Sequence, residues 1–133
     1  MIDYVVDASA LVDLFTVSDT PAELRRAVLT GRCAAPELID IDAATVLRKL
    51  IHRGRLSDAE GGDALRDVRD APIVRISHRP LLDRVWELRQ NITPYDASYV
   101  ALAEILDVPL LTSDTRLGRA GGHKAQIEVY PRS

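Results

Sequence analysis

The sequence is short of most features that mark secreted, membrane-spanning or broadly basic proteins. It has one cysteine, Cys33, so no intramolecular disulfide can form and no zinc cage can be built from thiolates. No apolar run approaches the ~20 residues of a membrane-spanning helix, and the stretch from Met1 to Tyr4 lacks the basic and apolar segments of a signal peptide. An excess of positive charge is also missing. The formal net charge is −3, which argues against a generic nucleic-acid binder but allows a basic rim around an acidic centre. Repeats, low-complexity tracts and linkers are absent. These absences predict a cytoplasmic protein without a membrane span, made of one domain over residues 1–133.

What is present is an alternation of short apolar runs with amphipathic stretches. Residues 2–6, 32–35, 72–76, 109–112 and 126–130 read as strands. Helical spacing predicts helices after Asp7, after Thr20, from Pro36 to about Arg53, after Ser57, over 80–90, from Pro94 to the Asp107 break, and briefly over 115–119. Thr20 with Glu23, and Ser57 with Glu60, have the spacing of capping boxes. Leu38, Ile39, Ile41, Val46, Leu47, Leu50 and Ile51 predict a largely buried long helix. Leu81, Leu82, Val85, Trp86 and Leu88 do the same for 80–90, and Ala97, Val100, Ala101 and Ile105 mark one core-facing side of the helix from Pro94. Gly61 and Gly62 weaken their helix by about 1 kcal/mol each, which suggests a mobile or partner-facing hairpin. Strands alternating with helices predict an α/β fold, a parallel sheet with helices on both faces.

Four acids fall at the ends of these elements. Asp7 follows the first strand and Asp114 the fourth, where ligands usually sit in α/β sheets. Asp96 lies in the first turn of its helix, behind Thr93 and Pro94. Asp42 heads a stripe in which Thr45, Lys49 and His52/Arg53 follow at helical spacing and turn the face basic. Each acid alone is explained by a helix cap or a solvated face, and Ser9 is an alternative cap that would free Asp7. The joint pattern is harder to explain so. Carboxylates about 5 Å apart repel by roughly 3 kcal/mol at an effective dielectric near 20, so a cluster calls for protonation or a cation. Oxygen donors without thiolates favour Mg²⁺ or Mn²⁺ over zinc. His52, His78 and His123 share no ligand-like spacing, and Trp86 reads as core.

Four segments then show a resemblance: VVDASAL, PELIDIDAATVLRKL, YDASYVALA and LLTSDTRL. In that order, over nearly the whole chain, they resemble the PIN domain and most closely the VapC toxins of toxin–antitoxin pairs. The resemblance implies a three-layer α/β/α fold with a five-stranded parallel sheet, metal-dependent RNA cleavage, a VapB-type antitoxin as partner, and a homodimer. Asp7, Asp96 and Asp114 match family acids. Asp42 stands where the family usually has glutamate, one methylene longer, so it would meet the metal directly or through a water, with Asp40 as a neighbouring competitor.

The expected activity is therefore that of an Mg²⁺-dependent endoribonuclease, with Mn²⁺ as a possible substitute. Asp7, Asp96 and Asp114 would hold the metal, joined by Asp42. Ser9, Thr112 and Ser113 are candidate polar contacts, and Lys49, Arg53 and Arg116 candidate phosphate contacts. A second expectation is a PIN-like module, catalytically impaired at Asp42, that binds RNA or a protein. An Asp-nucleophile phosphohydrolase is disfavoured, since Ser9 stands where its companion acid is needed.

Overall fold

The computed structural model describes residues 1–132. Its centre is a five-stranded parallel sheet in the order β3-β2-β1-β4-β5. The strands are β1 Tyr4–Val6, β2 Cys33–Pro36, β3 Ile73–Ile76, β4 Leu110–Thr112 and β5 Ile127–Val129. Val5, Val6, Cys33, Ala34, Ala35, Leu110 and Leu111 are fully buried, as strands covered on both faces must be. The chain begins at the middle of the sheet, builds outward through β2 and β3, then returns to lay β4 and β5 on the other side. β1 and β4 thus meet where the direction of building reverses, the position at which open α/β sheets bind ligands. Val5 pairs with Leu110 and Val6 with Leu111, so Asp7 and Thr112 come next, side by side.

The helices are α1 Ala8–Thr16, α2 Ala22–Leu29, α3 Ile39–His52, α4 Asp58–Asp70, α5 Leu82–Glu87, α6 Pro94–Leu106 and α7 Thr115–Arg119. α1, α3 and α4 pack on one another, while α6 lies against β1 and β2 with α5 beside it. The middle of α6, Ala97 through Ala103, is buried all round. It stops at Asp107, whose left-handed backbone (φ 53°) closes the last turn through its N–H. No helix among the described residues is long and apolar enough to cross a membrane.

The α/β/α architecture and the element order agree with the sequence expectation, while several local expectations do not. Pro36 ends β2, pairing with Ile76, and α3 starts only at Ile39. The Ser57–Glu60 capping box forms, but Thr20 caps nothing and accepts a hydrogen bond from Arg25 instead. Ile41, Leu82, Trp86 and Ile105 are 54–70% exposed. A 3₁₀ turn, Arg79–Leu81, precedes α5, so Leu81, Val85 and Leu88 take the inner side. Leu82 and Trp86 are left outside, with the Arg89 guanidinium 4.5 Å over the Trp86 ring. Gly61 has a packing role: it is buried, and a Cβ there would collide with Ile51 of α3.

Candidate active site

Asp7 closes β1 and opens α1. Its Oδ1 accepts hydrogen bonds from the Ala10 N–H (2.9 Å) and the Ser9 hydroxyl (2.7 Å), and its Oδ2 accepts from the Thr112 hydroxyl. Asp7 is therefore itself the cap of α1, and Ser9 serves it rather than replacing it. The Thr112 hydroxyl also accepts from the Asp114 N–H (3.0 Å), and Ser9 accepts from the Ser113 N–H (3.2 Å). This network stitches the ends of β1 and β4 together. Asp7 is 4% exposed. Burial pushes its carboxyl up to about 7, with a further push from Asp96, although its three hydrogen bonds pull the other way.

The other three acids come from three helix starts. Asp96 sits in the first turn of α6, where Thr93 donates to its Oδ2 (3.3 Å) and makes no side-chain cap to the backbone. Burial raises the Asp96 carboxyl first, and the charges of Asp114 and Asp42 raise it further. Asp42, in the first turns of α3, accepts from the Tyr99 hydroxyl (2.8 Å). Burial raises it as well, against the Tyr99 bond and the Lys49 charge. Asp114 caps α7 through the Arg116 N–H (2.9 Å), with the Arg116 guanidinium 3.7 Å away. Asp96 is thus within electrostatic reach of the other three acids, at the carboxyl edge of the sheet.

The donor set fits a hard divalent cation. It consists of carboxylate and hydroxyl oxygens, and the one thiol, Cys33, is buried against the Ala27 carbonyl. Asp42 Oδ1, Asp96 Oδ1 and Asp114 Oδ2 accept no hydrogen bond among the described residues. Repulsion that raises both Asp96 and Asp7 is what a bound cation would relieve. The described residues hold no group of three His, Cys, Asp or Glu side chains already gathered as an ion cage. Asp7 turns both oxygens to Ser9, Ala10 and Thr112, and Asp42 turns one to Tyr99.

The remaining candidates divide. Lys49, Arg53, Ser9 and Ser113 share a cleft of about 190 Å³ with Asp13 and Arg132. Arg116 lies exposed on the Asp114 side. His52 lines a different groove, between α3 and α4, and Thr45 turns its hydroxyl back to Ile41. Asp40 is no competitor for Asp42, because Arg75 binds both its oxygens at 2.8 Å. A cavity of about 610 Å³ between Arg84, Glu104 and Lys124 lies at the amino ends of β4 and β5, away from the acids.

Two residues of this region carried little sequence signal. Tyr99 lies three residues after Asp96 inside an apolar motif, and its one polar atom is what matters. Arg132 pairs with Asp13, 119 positions away, a separation that no local pattern reveals.

A family model described as PIN domain matches residues 4–122. Ribonuclease VapC9 of Mycobacterium tuberculosis is 40% identical over 128 residues, 96% of this chain and 98% of that protein. Ribonuclease VapC1 of the same organism is 38% identical over 131 residues, 97% and 98% of the two chains. The crystal structure of VapBC2 from Rickettsia felis, bound to a promoter DNA fragment, superposes with a TM-score of 0.67 at 15% identity, covering 98% of this chain and 99% of that one. That last likeness is one of fold.

Proposed function

The chain belongs to the PIN-domain family, in the company of the VapC ribonucleases, and from that premise we propose that it is a metal-dependent endoribonuclease acting as the toxin of a VapBC-type pair. The observation that carries this reading is the meeting of Asp7, Asp42, Asp96 and Asp114 at the carboxyl edge of the sheet, where burial and mutual repulsion raise Asp96. Asp96, Asp114 and Asp7 would hold Mg²⁺ or Mn²⁺, with Asp42 contributing directly or through a water. Such an ion, when bound, acidifies a water and stabilises charge on a phosphodiester oxygen.

The chain's own residues do the rest. Thr112 and Ser9 fix the Asp7 carboxylate, and Tyr99 fixes that of Asp42. Lys49, Arg53 and Arg116 offer positive charge to the RNA backbone on two sides of the acids. His52 ends α3, His78 precedes the 3₁₀ turn and His123 lies before β5, so no histidine pair is placed to activate a ribose 2′-hydroxyl. Products should therefore carry 5′-phosphate and 3′-hydroxyl ends. Mapping the ends after cleavage tests this, and 2′,3′-cyclic phosphates would sink it. A VapB-type antitoxin that covers the acidic edge, and a homodimer, belong to the same proposal.

A further inference from the structure

We propose that the cleft between α1, α3 and the end of the chain is a subsite for an RNA backbone phosphate flanking the scissile one, with Arg132 as its third cation. This inference rests on the ribonuclease reading above. Lys49 of α3, Arg53 just past its end, the hydroxyl-bearing Ser9 and Ser113, and Arg132 line one concavity of about 190 Å³. Its one carboxylate among the described residues, Asp13, is paired through Oδ1: Arg132 Nε donates to that oxygen at 2.8 Å, Nη2 donates to it as well, and Nη2 donates to the Thr16 hydroxyl at 3.3 Å. Lys49 and Arg53 form no salt bridge among the described residues. With three cations against one carboxylate among the described residues, and that carboxylate paired with Arg132, the concavity is positive.

Two features suit this cleft to a phosphate beside the acids. Ser9 lines it and also donates to Asp7 at 2.7 Å, so the cleft begins where the acids end. Asp13 is 6% exposed, so it anchors Arg132 from inside α1 and holds the guanidinium before any ligand arrives. Arg132 Nη1 has no hydrogen-bond partner among the described residues. A guanidinium held by one carboxylate and open at another nitrogen suits a phosphate oxygen, and its ordering cost is already met by the fold.

The experiment is the salt dependence of binding of a short fluorescein-labelled single-stranded RNA, by anisotropy in Mg²⁺, to protein carrying Asp96→Asn so that the RNA stays intact. Each phosphate contact removed should make the slope of log Kd against log salt shallower by about 0.7. Adding Arg132→Gln is expected to give that shift and weaker binding, whereas Arg132→Lys and the remote control Arg69→Gln keep the slope. A folded Arg132→Gln protein with the parent slope would overturn the proposal, leaving Arg132 a tail anchor only. If Arg132→Gln does not fold, Lys49→Gln with Arg53→Gln on the exposed side of α3 should shift the slope by about twice as much, and an unchanged slope there overturns it equally. Absence of cleavage by the wild-type protein would instead remove the ribonuclease reading, a separate result from the slope.

Discussion

The Tyr99 hydroxyl donates to Asp42 Oδ2 across 2.8 Å, tying α6 to α3 at the point where both deliver an acid. The phenol reaches in from the facing helix and fixes the short aspartate side chain. Tyr99 is fully buried. Burial first, then the Asp42 charge and hydrogen bond, push its own ionisation far upward, so it stays a donor at any pH the fold withstands. One Asp42 oxygen is thereby held and the other left open.

Tyr99→Phe should therefore loosen Asp42 without removing it. The expected result is weaker Mn²⁺ binding by calorimetry and slower RNA cleavage, with about 1 kcal/mol of stability lost. Unchanged Mn²⁺ affinity would mean that the hydrogen bond supports packing alone.

Asp40 and Asp42 lie two residues apart on α3 and should separate cleanly. Asp40 is held by Arg75, which also donates to the Val68 carbonyl at the end of α4. Asp40→Asn should cost about 1 kcal/mol, as a partly exposed ion pair does, and leave cleavage intact. Asp42→Asn should abolish or strongly reduce cleavage at little cost in stability. Equal loss of cleavage in both variants would contradict the assignment.

Much of this was legible in the sequence because it is local. Strand, junction acid and helix follow one another at Asp7 and Asp114, and the alternation of apolar runs with helices is enough to give a parallel sheet. Failures arose where the outcome depends on which side a neighbour covers. Ile41, Leu82, Trp86 and Ile105 satisfy helical spacing yet face outward, because each helix carries more apolar residues than the sheet can cover. Pro36 looked like a helix start, but pairing with Ile76 of β3 claimed it for the sheet. At the site, four acids could be named from spacing, whereas Tyr99 and Arg132 depend on contacts 57 and 119 residues apart in sequence.

The Asp7 shift makes stability depend on pH. Its carboxyl ordinarily titrates at 3.8 and is pushed to about 7 in the fold. Between those values the folded protein holds a proton that the unfolded chain releases, so stability falls as pH rises through that window and levels off above it. The raised Asp42 and Asp96 carboxyls act in the same sense. In EDTA, Tm should be lower at about pH 8 than at about pH 5. Asp7→Asn should flatten the difference, and added Mg²⁺ should raise Tm more at the higher pH. A Tm in EDTA that rises across this range would contradict the account.

Thr112→Val keeps the side-chain shape and deletes three hydrogen bonds, the one donated to Asp7, the one accepted from the Asp114 N–H and a longer one shared with the Ser9 hydroxyl at 3.4 Å. Loss of these buried bonds should cost roughly 1–3 kcal/mol. Because Thr112 pulls the Asp7 carboxyl down, its loss should also move the pH at which cleavage sets in upward. A stability loss with an unmoved pH profile would place Thr112 outside the chemistry.

The central claim is tested most directly by incubating total RNA with the purified protein in Mg²⁺, in Mn²⁺ and in EDTA, beside the Asp96→Asn protein. The account predicts discrete cleavage with either metal, none in EDTA, and none from Asp96→Asn although it folds. Cleavage that persists in EDTA or in Asp96→Asn, or no cleavage by folded, partner-free wild-type protein under any of these conditions, would contradict it.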